Sequence, residues 1–347
     1  MTLLLLAAAA FLVSLVLTGA LVSGRLPFAV IDHPNHRSLH VEPTPRGGGL
    51  AFGVAICFAS GAFAWFGPGA EATVDWIMAG AVLVAAVSLA DDRWRLHPGL
   101  RIPVHFAAAT SLIGAGLVPG LIELPGSALA LPAWLGTLFA LFYAVWLLNL
   151  YNFMDGMDGF AGGMAVIGFG TYAILGWQTG ATTFVALNLI IAGAVGGFLV
   201  FNFPPARIFM GDVGASPLGF LAAALSLWAA RDGLFPLWVG VLIFSPFIVD
   251  ATVTLGRRLA RRERVWEAHR SHYYQRLVRL GWGHRRTVLW EYLLMLACAA
   301  SALAAVRLPA AGRWWLLCAW AIAYTVLMLW VGRLESRGKG DAARTTG

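Results

Sequence analysis

The strongest constraint on the fold of this chain is a succession of long segments that contain almost no charged residues. Of its 347 residues, 59% are hydrophobic and only 12% are charged, whereas soluble domains have about 25% charged residues. So little charge cannot cover a water-facing surface, and a disordered chain needs the opposite balance. The three cysteines lie in apolar segments and lack the spacing of a disulfide framework or a zinc site. The sequence therefore predicts a polytopic membrane protein.

Segments long enough to cross a bilayer recur along nearly the whole chain. A hydrocarbon core of about 30 Å needs about 20 apolar residues per helix. The first such segment lacks a basic flank and a cleavage site, which favours a retained helix over a signal peptide. We expect an all-α integral membrane protein with residues 1–333 in one polytopic domain and 334–347 as a short tail. Its eleven predicted transmembrane helices lie near 2–23, 48–67, 75–90, 102–121, 133–150, 160–177, 182–201, 214–230, 235–256, 287–306 and 313–332.

An odd number of spans places the termini on opposite sides and assigns every connecting segment to one side. The positive-inside rule identifies the side with most basic residues as cytoplasmic. The N-terminus is then periplasmic and the tail cytoplasmic, and the net charge of +7 reflects topology, not nucleic-acid binding. The cytoplasmic set contains 21 of the 24 basic residues and consists of 24–47, 91–101, 151–159, 202–213, 257–286 and the C-terminal tail.

The first two cytoplasmic segments carry candidates for binding an anion and a metal. The first has two prolines, three consecutive glycines and the basic side chains of Arg37, His40 and Arg46, which could meet an anionic substrate. In the second, Asp91 and Asp92 are adjacent at the end of an apolar span. Adjacent carboxylates repel unless one is protonated or a cation lies between them. The pair therefore suits Mg2+, or a general base beside a metal.

The third and fourth cytoplasmic segments are rich in acids, amides and glycines. If the third is helical, its residues at three-residue steps share a face and could bind a metal or sugar hydroxyls: Asn152, Asp155 and Asp158. In the fourth, Asp212 lies between glycines just before a helix, where it could also be an N-cap. Asn202 and Phe209 of the same segment are candidates for an amide contact and a stacking contact with a nucleotide base.

The fifth cytoplasmic segment, 257–286, has ten arginines, as the positive-inside rule leads one to expect. Its stronger candidates are His269 and His272, because imidazole can donate to a phosphate or transfer a proton. Arg276 follows them and is included among the candidate substrate-binding residues. Asp250, within the preceding span, is a further candidate, since acids inside a membrane segment are commonly functional.

These candidates fit phosphoryl transfer between a lipid and a water-soluble substrate. Carboxylates can hold a divalent cation, and the cation and arginines can hold phosphates. Because the candidate site lies at the membrane surface, a lipid phosphate and a nucleotide-activated donor fit it together. Phosphoryl transfer depends mostly on positioning and on neutralising charge, which these residue types supply.

Five ordered motifs between about residues 30 and 290 resemble the polyprenyl-phosphate N-acetylhexosamine-1-phosphate transferases, also classed as glycosyltransferase family 4. The resemblance implies transfer of a sugar 1-phosphate from a UDP-amino sugar to undecaprenyl phosphate, with release of UMP and with Mg2+ or Mn2+ as cofactor. It also implies a multi-pass protein of the bacterial inner membrane, and it allows a homodimer. The motifs are DHPNHRSLHVEPTPRGGGLAF, LADDRWRLHPGLR, NLYNFMDGMDGFAGG, FNFPPARIFMGDVGASPLGF and HRSHYYQRL.

The resemblance also implies roles for individual residues. Asp91 matches the acid proposed to deprotonate the acceptor phosphate, while Asp212 matches a metal ligand with Asp92 close to it. Three residues match the motif that lines the donor nucleotide site: Asn152, Asp155 and Asp158. The remaining matches lie near the uracil or near the diphosphate, in that order: Asn202 and Phe209, then His269 and His272.

The first motif is closer to the branch that initiates O-antigen and lipopolysaccharide synthesis than to the muramoyl-pentapeptide branch. The expected reaction is a direct displacement, although a two-step route through an aspartyl intermediate is an alternative. A carrier of nucleotide sugar or lipid-linked sugar is the competing function from a different class. Another membrane phosphotransferase is the third, but the D-G-x-x-A-R pattern of the CDP-alcohol type is absent after Asp158.

Overall fold

The computed structural model describes residues 2–26, 30–34, 39, 42–66, 71–94, 96–264 and 269–345. Most of these residues are helical, and the short strands form two separate antiparallel hairpins. In chain order the elements are α1 (Thr2–Val22), β1 (Val30–Asp32), β2 (Thr44–Arg46), α2 (Gly48–Phe66), α3 (Ala72–Trp94), α4 (Pro98–Ala109), α5 (Ser111–Gly114), β3 (Leu121–Leu124), β4 (Ser127–Ala130), α6 (Ala133–Met154), α7 (Phe160–Thr179), α8 (Thr182–Asn202), α9 (Asp212–Arg231), α10 (Leu237–Ile243), α11 (Ser245–Ala260), α12 (Tyr273–Leu277), a π-helical turn (Val278–Trp282), α13 (Gly283–Ala305) and α14 (Ala310–Thr345).

The all-α, multi-pass fold predicted from the apolar segments is confirmed. Within the described ranges, nine helical segments are long and apolar enough to cross a membrane, and the pair α10–α11, bent by 81°, makes a tenth. The segment predicted as a span at 102–121 is not one long helix. It is divided at Thr110 between α4, which continues through Pro103, and the single turn of α5, and Gly116 with a φ of 69° follows shortly after.

The α4–α5 pair nevertheless runs from one end of the bundle to the other. The polar end of the bundle is where α3 and α6 end and α9 begins. Arg101 in α4 contacts Asp91 at that end, at 2.6 Å. Ala115, just after α5, accepts a hydrogen bond from Arg231 at the opposite end, where α9 stops. With this pair included, the described helices make eleven passages, as the sequence predicts.

Helix α9 lies at the centre of the bundle, and 94% of its most apolar stretch is buried against the surrounding helices. It packs against α2, α3 and α6, and a small residue permits its closest approach. A β carbon at Gly219 would lie 2.5 Å from the carbonyl oxygen of Leu147 in α6. Small residues at helix contacts allow backbones to approach closely in membrane proteins. The central helix thus holds its first residue, Asp212, at a fixed place at the polar end.

The two ends of the chain lie at opposite ends of the bundle, as the odd number of spans predicts. Helix α1 runs parallel to α8, since Ala7 packs at Gly193 and Gly19 packs at Phe201. Its first residues are therefore at the end away from α9's N-terminus. In α14, by contrast, Glu335 contacts a residue of α12 at the polar end. Which of these ends faces the cytoplasm stays a prediction from the basic residues.

Candidate active site

At the polar end, the last turn of α3 is tied to the first turn of α9. The carboxylate of Asp92 accepts hydrogen bonds from the backbone N–H groups of Asp212, at 3.3 Å, and Val213, at 3.1 Å. No side chain of α9's own N-terminal segment caps this helix, because its N-cap is Gly211 with a φ of 78°. A carboxylate at a helix N-terminus satisfies unpaired N–H groups and complements the helix dipole. Asp92 therefore caps α9 from a neighbouring helix.

Arg46 lies between the carboxylates of Asp92 and Asp212. Its Nη2 atom is 3.0 Å from Asp92 Oδ1 and 2.5 Å from Asp212 Oδ1. The position of Arg46 is set by β2, because the N–H of Phe209 donates to the carbonyl oxygen of Pro45 at 2.8 Å. Burial would lower the pKa of Arg46, but the coulombic attraction of the carboxylates outweighs it and raises that pKa. The guanidinium therefore stays charged beside the two acids.

Arg101 and Asn152 complete the surroundings of Asp212. Arg101 Nη1 is 2.6 Å from Asp91 Oδ2, and its Nη2 is 3.6 Å from Asp212 Oδ2. Asn152 donates from Nδ2 to Asp212 Oδ2 at 3.1 Å. Residues from five separate segments thus meet at Asp212. This ion-pair cluster is defined by Arg46, Asp91, Asp92, Arg101, Asn152 and Asp212.

The donors of the ion-pair cluster suit Mg2+ bound together with a phosphate. Asp92 and Asp212 converge on one positive group, the guanidinium of Arg46. In the part of the chain that the structure describes, no three His, Cys, Asp or Glu side chains form a ready metal site. Mg2+ commonly binds through one or two carboxylates, with substrate phosphates and water as its other ligands. Two carboxylates that already attract a positive charge therefore fit this mode of binding.

A polar cavity of about 170 Å³ adjoins the ion-pair cluster. Arg46 and Gly211 border both, so a ligand in the cavity would lie directly beside Asp212. A larger cavity of about 580 Å³ lies between α11, α12, α13 and α14; its walls are mainly apolar, and its charged lining residues are Asp250, Arg286 and Glu291. The smaller cavity offers an aromatic ring, carboxylates, an amide and an imidazole; the side chains that define it are Asp155, Asp158, Asn202, Phe209, Gln275 and His284.

Asp158 and His284 form a pair at the wall of this polar cavity. The Nδ1 atom of His284 is 3.0 Å from Asp158 Oδ1. The other oxygen, Oδ2, accepts the backbone N–H of Ala206 at 3.0 Å. Asp158 therefore links the start of α13 to the segment before α9. His284 was not among the sequence candidates, because only the fold brings α13 to the third motif.

Asn202 holds two cavity loops together. Its Oδ1 accepts the N–H of Gly159 at 3.0 Å, and its Nδ2 donates to the carbonyl oxygen of Ile208 at 2.9 Å. The residue is only 4% exposed. The oxygen and the nitrogen of the amide are thus both hydrogen-bonded to backbone groups, and Asn202 stabilises the two loops that border the cavity. Phe209 lines the same cavity, as expected for the stacking candidate.

Asp155 also lines the cavity, directly after α6. Burial raises the pKa of its carboxyl well above the ordinary value. The nearby Arg46 opposes this rise, whereas the negative charges of Asp212, Asp92 and Asp158 add to it. Its burial and the neighbouring negative charges therefore both favour the neutral form of Asp155. A neutral carboxyl could donate a hydrogen bond to a ligand.

The histidine motif lies against Asp250, and the cavity is not lined by either of its histidines. His272 is 2% exposed, and its Nδ1 is 3.3 Å from Asp250 Oδ1. Asp250 also accepts the N–H groups of Tyr273, at 3.0 Å, and Tyr274, at 3.3 Å. Asp250 and His272 thus anchor the start of α12. His272 is thus engaged away from the cavity, and its role in phosphate binding or proton transfer stays a prediction.

Two further candidates of the same segment are likewise engaged away from the cavity. His269 Nδ1 contacts the hydroxyl of Ser271 at 2.8 Å. Burial, with help from the positive groups of His272 and Arg258, lowers the pKa of His269 to about 4. Arg276 forms two hydrogen bonds of 2.7 Å to Glu335 in α14. The predicted contact of Arg276 with substrate therefore competes with a strong ion pair.

Of the remaining candidates, Arg37 and His40 lie outside the described residues, and their roles stay predictions. The structure brings together most of the others: Arg46, Asp91, Asp92, Asn152 and Asp212 in the cluster, and Asp155, Asp158, Asn202 and Phe209 at the cavity. It adds Arg101, Gln275 and His284, which the sequence candidates did not include. For Arg101 a signal existed, since it follows the paired aspartates in the second motif.

An all-α membrane protein with an ion-pair cluster beside a polar cavity has the features of a membrane phosphotransferase. Comparison with known proteins identifies which kind. Residues 75–230 match the family model of glycosyl transferase family 4. The decaprenyl-phosphate N-acetylglucosaminephosphotransferase of Mycolicibacterium smegmatis is 32% identical over 300 residues, which cover 77% of this chain and 73% of that protein.

Two other relatives agree with this match. The probable undecaprenyl-phosphate N-acetylglucosaminyl 1-phosphate transferase of Bacillus subtilis is 29% identical over 295 residues, covering 82% of this chain and 81% of its own. A phospho-N-acetylmuramoyl-pentapeptide-transferase of Geobacillus kaustophilus is 35% identical over 166 residues, covering 47% of this chain and 50% of its own. This chain belongs to the polyprenyl-phosphate N-acetylhexosamine-1-phosphate transferase family, and it is a multi-pass membrane transferase.

Proposed function

We propose that this protein transfers an N-acetylated amino-sugar 1-phosphate from a UDP-sugar to undecaprenyl phosphate and releases UMP. The observation that carries the proposal is the direct contact between the ion-pair cluster and the polar cavity, since Arg46 belongs to both. Transfer needs a nucleotide site, a site for the acceptor phosphate and a place where the diphosphate meets positive charge. The cavity supplies the first of these and the cluster the other two.

Within the site, each side chain has a chemical task. Phe209 and Asp158 at the cavity suit the nucleoside, because a ring can stack on a base and a carboxylate can hold polar partners. Asp91, held by Arg101 at 2.6 Å, is the base that takes the proton of the acceptor phosphate. Arg101 then faces the same phosphate and offsets its charge. This division places the donor and acceptor on two sides of Asp212.

The reaction is a displacement at the β-phosphorus of the UDP-sugar. An oxygen of the prenyl phosphate forms a new bond to that phosphorus, and the bond to the oxygen bridging to UMP breaks. UMP leaves with the electron pair of that bond, and the acceptor proton stays on Asp91. Arg46 and Arg101 remain beside the transferring group, because both contact Asp212. The product is a lipid diphosphate sugar that starts synthesis of a cell-surface glycan, such as O-antigen.

Asp212, together with Asp92, is proposed to hold Mg2+, with Mn2+ as an alternative. When bound, the cation would neutralise charge on the diphosphate of the donor. The amide of Asn152, 3.1 Å from Asp212 Oδ2, orients that carboxylate. Asp92 is fixed by its two hydrogen bonds to α9, so the helix N-terminus and the metal would share this acid. We place this site at the cytoplasmic face of the bacterial inner membrane.

The test measures UMP release by the purified protein in detergent, with undecaprenyl phosphate, Mg2+ and a panel of UDP-amino sugars. The panel begins with UDP-N-acetylglucosamine, because relatives named above transfer N-acetylglucosamine 1-phosphate. We expect one donor to release UMP only when acceptor is present. Counterflow of nucleotide sugar in proteoliposomes without any UMP release would instead establish a carrier.

A matched pair of variants tests the role of Asp212. We expect Asp212→Asn to lower turnover by about 10²- to 10³-fold, the range for losing a charge-stabilising group in a transfer reaction. Asp232→Asn is the control, because Asp232 follows the other end of the same helix and pairs with Arg231. Normal Mg2+-dependent turnover in Asp212→Asn would remove it as a metal ligand. Phosphosugar trapped on Asp91 before acceptor is added would establish the two-step route.

A further inference from the structure

We propose that His284 reads the edge of the donor's base and makes the site prefer uracil over cytosine. This inference rests on the proposed function, since it assigns the base of the nucleotide to the polar cavity. His284 is the second residue of α13, and its ring lines the cavity together with Phe209. A stacked ring fixes the plane of a base but tolerates any base. The choice of base must then come from a group at its edge.

The partner of His284 fixes which of its nitrogens can accept a hydrogen bond. Nδ1 is 3.0 Å from Asp158 Oδ1, and an ionised carboxylate can only accept. The hydrogen of the ring is therefore on Nδ1. In a neutral imidazole with Nδ1–H, the other nitrogen, Nε2, is an acceptor. Asp158 is held in turn by the N–H of Ala206, so the orientation of the pair does not depend on a ligand.

Three other polar side chains of the cavity are already engaged, while Asp155, whose surroundings favour the neutral form, would donate to a carbonyl oxygen of the base and not accept from N3–H. The amide of Asn202 bonds to backbone groups at both ends. Gln275 Oε1 accepts the backbone N–H of His272 at 3.3 Å. Arg46 is held by the carboxylates of the ion-pair cluster. Among the described residues, none forms a hydrogen bond with Nε2 of His284, so this atom can bond to a ligand in the cavity.

An acceptor at this place distinguishes the two pyrimidines. Uracil has a donor, N3–H, between its two carbonyl oxygens, so Nε2 of His284 can accept from it. Cytosine has an acceptor at N3, and two acceptors facing each other leave both unpaired. A site built to pair with one hydrogen-bonding edge rejects a ligand that lacks the matching group. The expected preference for UMP over CMP is about 10- to 100-fold, since an unpaired buried group reduces binding by that factor.

The test measures dissociation constants of UMP and CMP for the full-length protein in detergent, for two variants of His284. His284→Asn keeps a donor near the position of Nδ1, facing Asp158, but removes the acceptor at Nε2. His284→Gln places its amide near Nε2, where the carbonyl oxygen can accept from N3–H. We expect His284→Asn to reduce the UMP preference by about tenfold or more, through weaker UMP binding. His284→Gln should keep UMP binding but bind CMP more tightly than the wild type does, because its amide can rotate and donate to N3 of cytosine.

Thermal unfolding of each variant verifies that it is folded. A purely structural role for His284 would weaken UMP and CMP binding by the same factor, and this result would overturn the inference. So would a wild-type preference for UMP that His284→Asn retains in full. Failure of the proposed function is distinct, because the wild-type protein would then bind neither nucleotide and release no UMP. If the wild-type protein binds neither nucleotide, the cavity does not bind a nucleotide base.

Discussion

In the part of the chain that the structure describes, two carboxylate–histidine pairs lie at the polar end of the bundle, and they differ in what surrounds them. In the sealed pair, Asp250 and His272, the histidine is 2% exposed and lines neither cavity. Its carboxylate partner borders the larger, mainly apolar cavity, and besides His272 it accepts two backbone N–H groups and the hydroxyl of Thr254. The cavity pair, Asp158 and His284, has one backbone donor and lines a polar cavity. The same two residue types thus anchor the start of α12 in one place and line a polar cavity in the other.

The number of internal partners separates the two roles. The four donors to Asp250 take up most of its acceptor capacity, three of them at Oδ1, so removing this carboxylate leaves buried polar groups unsatisfied. A pair with an unused ring nitrogen beside a cavity can still bind a ligand. A histidine of such a pair is therefore a candidate for ligand binding only when the fold leaves its second ring nitrogen accessible. The following predictions test this contrast, from the largest expected effect to the smallest.

Asp250→Ala should lower the free energy of unfolding by about 3 to 5 kcal/mol, since it leaves the buried donors of the sealed pair without an acceptor. The measurement is thermal unfolding in detergent. Asp250→Asn is the matched control, because its amide oxygen still accepts, and we expect a smaller loss. A wild-type midpoint in Asp250→Ala would show that the sealed pair does not anchor α12.

Asp158→Asn should reduce kcat/KM for the UDP-sugar by about 10²-fold, equivalent to about 2.7 kcal/mol. The amide can donate to Nδ1 of His284 and so select the other tautomer, as replacing the orienting acid of a catalytic triad does. UMP release gives the rate, and thermal unfolding should change less than in Asp250→Ala. If Asp158→Asn instead unfolds the protein, the cavity pair is structural and the contrast fails.

Arg276→Ala should cost about 1 kcal/mol of stability, because it removes the paired hydrogen bonds to Glu335, which is about a third exposed. A double-mutant cycle with Glu335→Ala should give a coupling energy of up to about 1 kcal/mol, which separates the ion pair from the contact of Arg276 with the ring of Tyr273. Loss of UMP release at unchanged stability would favour the substrate contact that the sequence predicts for Arg276.

His269 should make the protein less stable as the pH falls from about 6.5 towards 4. Its pKa is lowered to about 4 in the folded state, so the unfolded chain binds the proton more readily in this range. Stability is then complete above pH 6.5 and decreases on acidification. The effect is on the order of 1 kcal/mol, since solvent screens a half-buried ring. Unfolding midpoints at pH 7 and pH 5 should differ less in His269→Gln than in the wild type.

Much of the fold could be predicted because membrane segments obey local rules. About twenty consecutive apolar residues predict a membrane span wherever they occur, and the basic residues beside a span indicate which side each end faces. The eleven predicted passages and the opposite placement of the termini therefore required no knowledge of tertiary contacts. The span at 102–121 was least like the prediction, since it is divided at Thr110 into α4 and α5 and its last residue belongs to β3. The hydropathy of a window does not report such a break.

The site was predicted in part for a related reason. Asp91, Asp92 and Asp212 end or begin apolar spans, so the sequence alone placed them at one surface. It did not reveal that Asp92 caps α9, because that bond joins residues 120 positions apart. It also favoured His272, which belongs to a recognisable motif, over His284, which stands alone in the sequence.

The sequence by itself determined the membrane fold, the number of passages and the set of polar residues gathered at one end. These depend on local hydropathy and charge, which each segment carries independently of its neighbours. Only the tertiary structure decided how those residues pair. Whether a histidine meets Asp158 at a cavity or Asp250 in a sealed contact depends on how α12 and α13 pack against distant helices. Packing brings such groups within 3 to 4 Å and excludes water from some of them, and no local pattern encodes that distance.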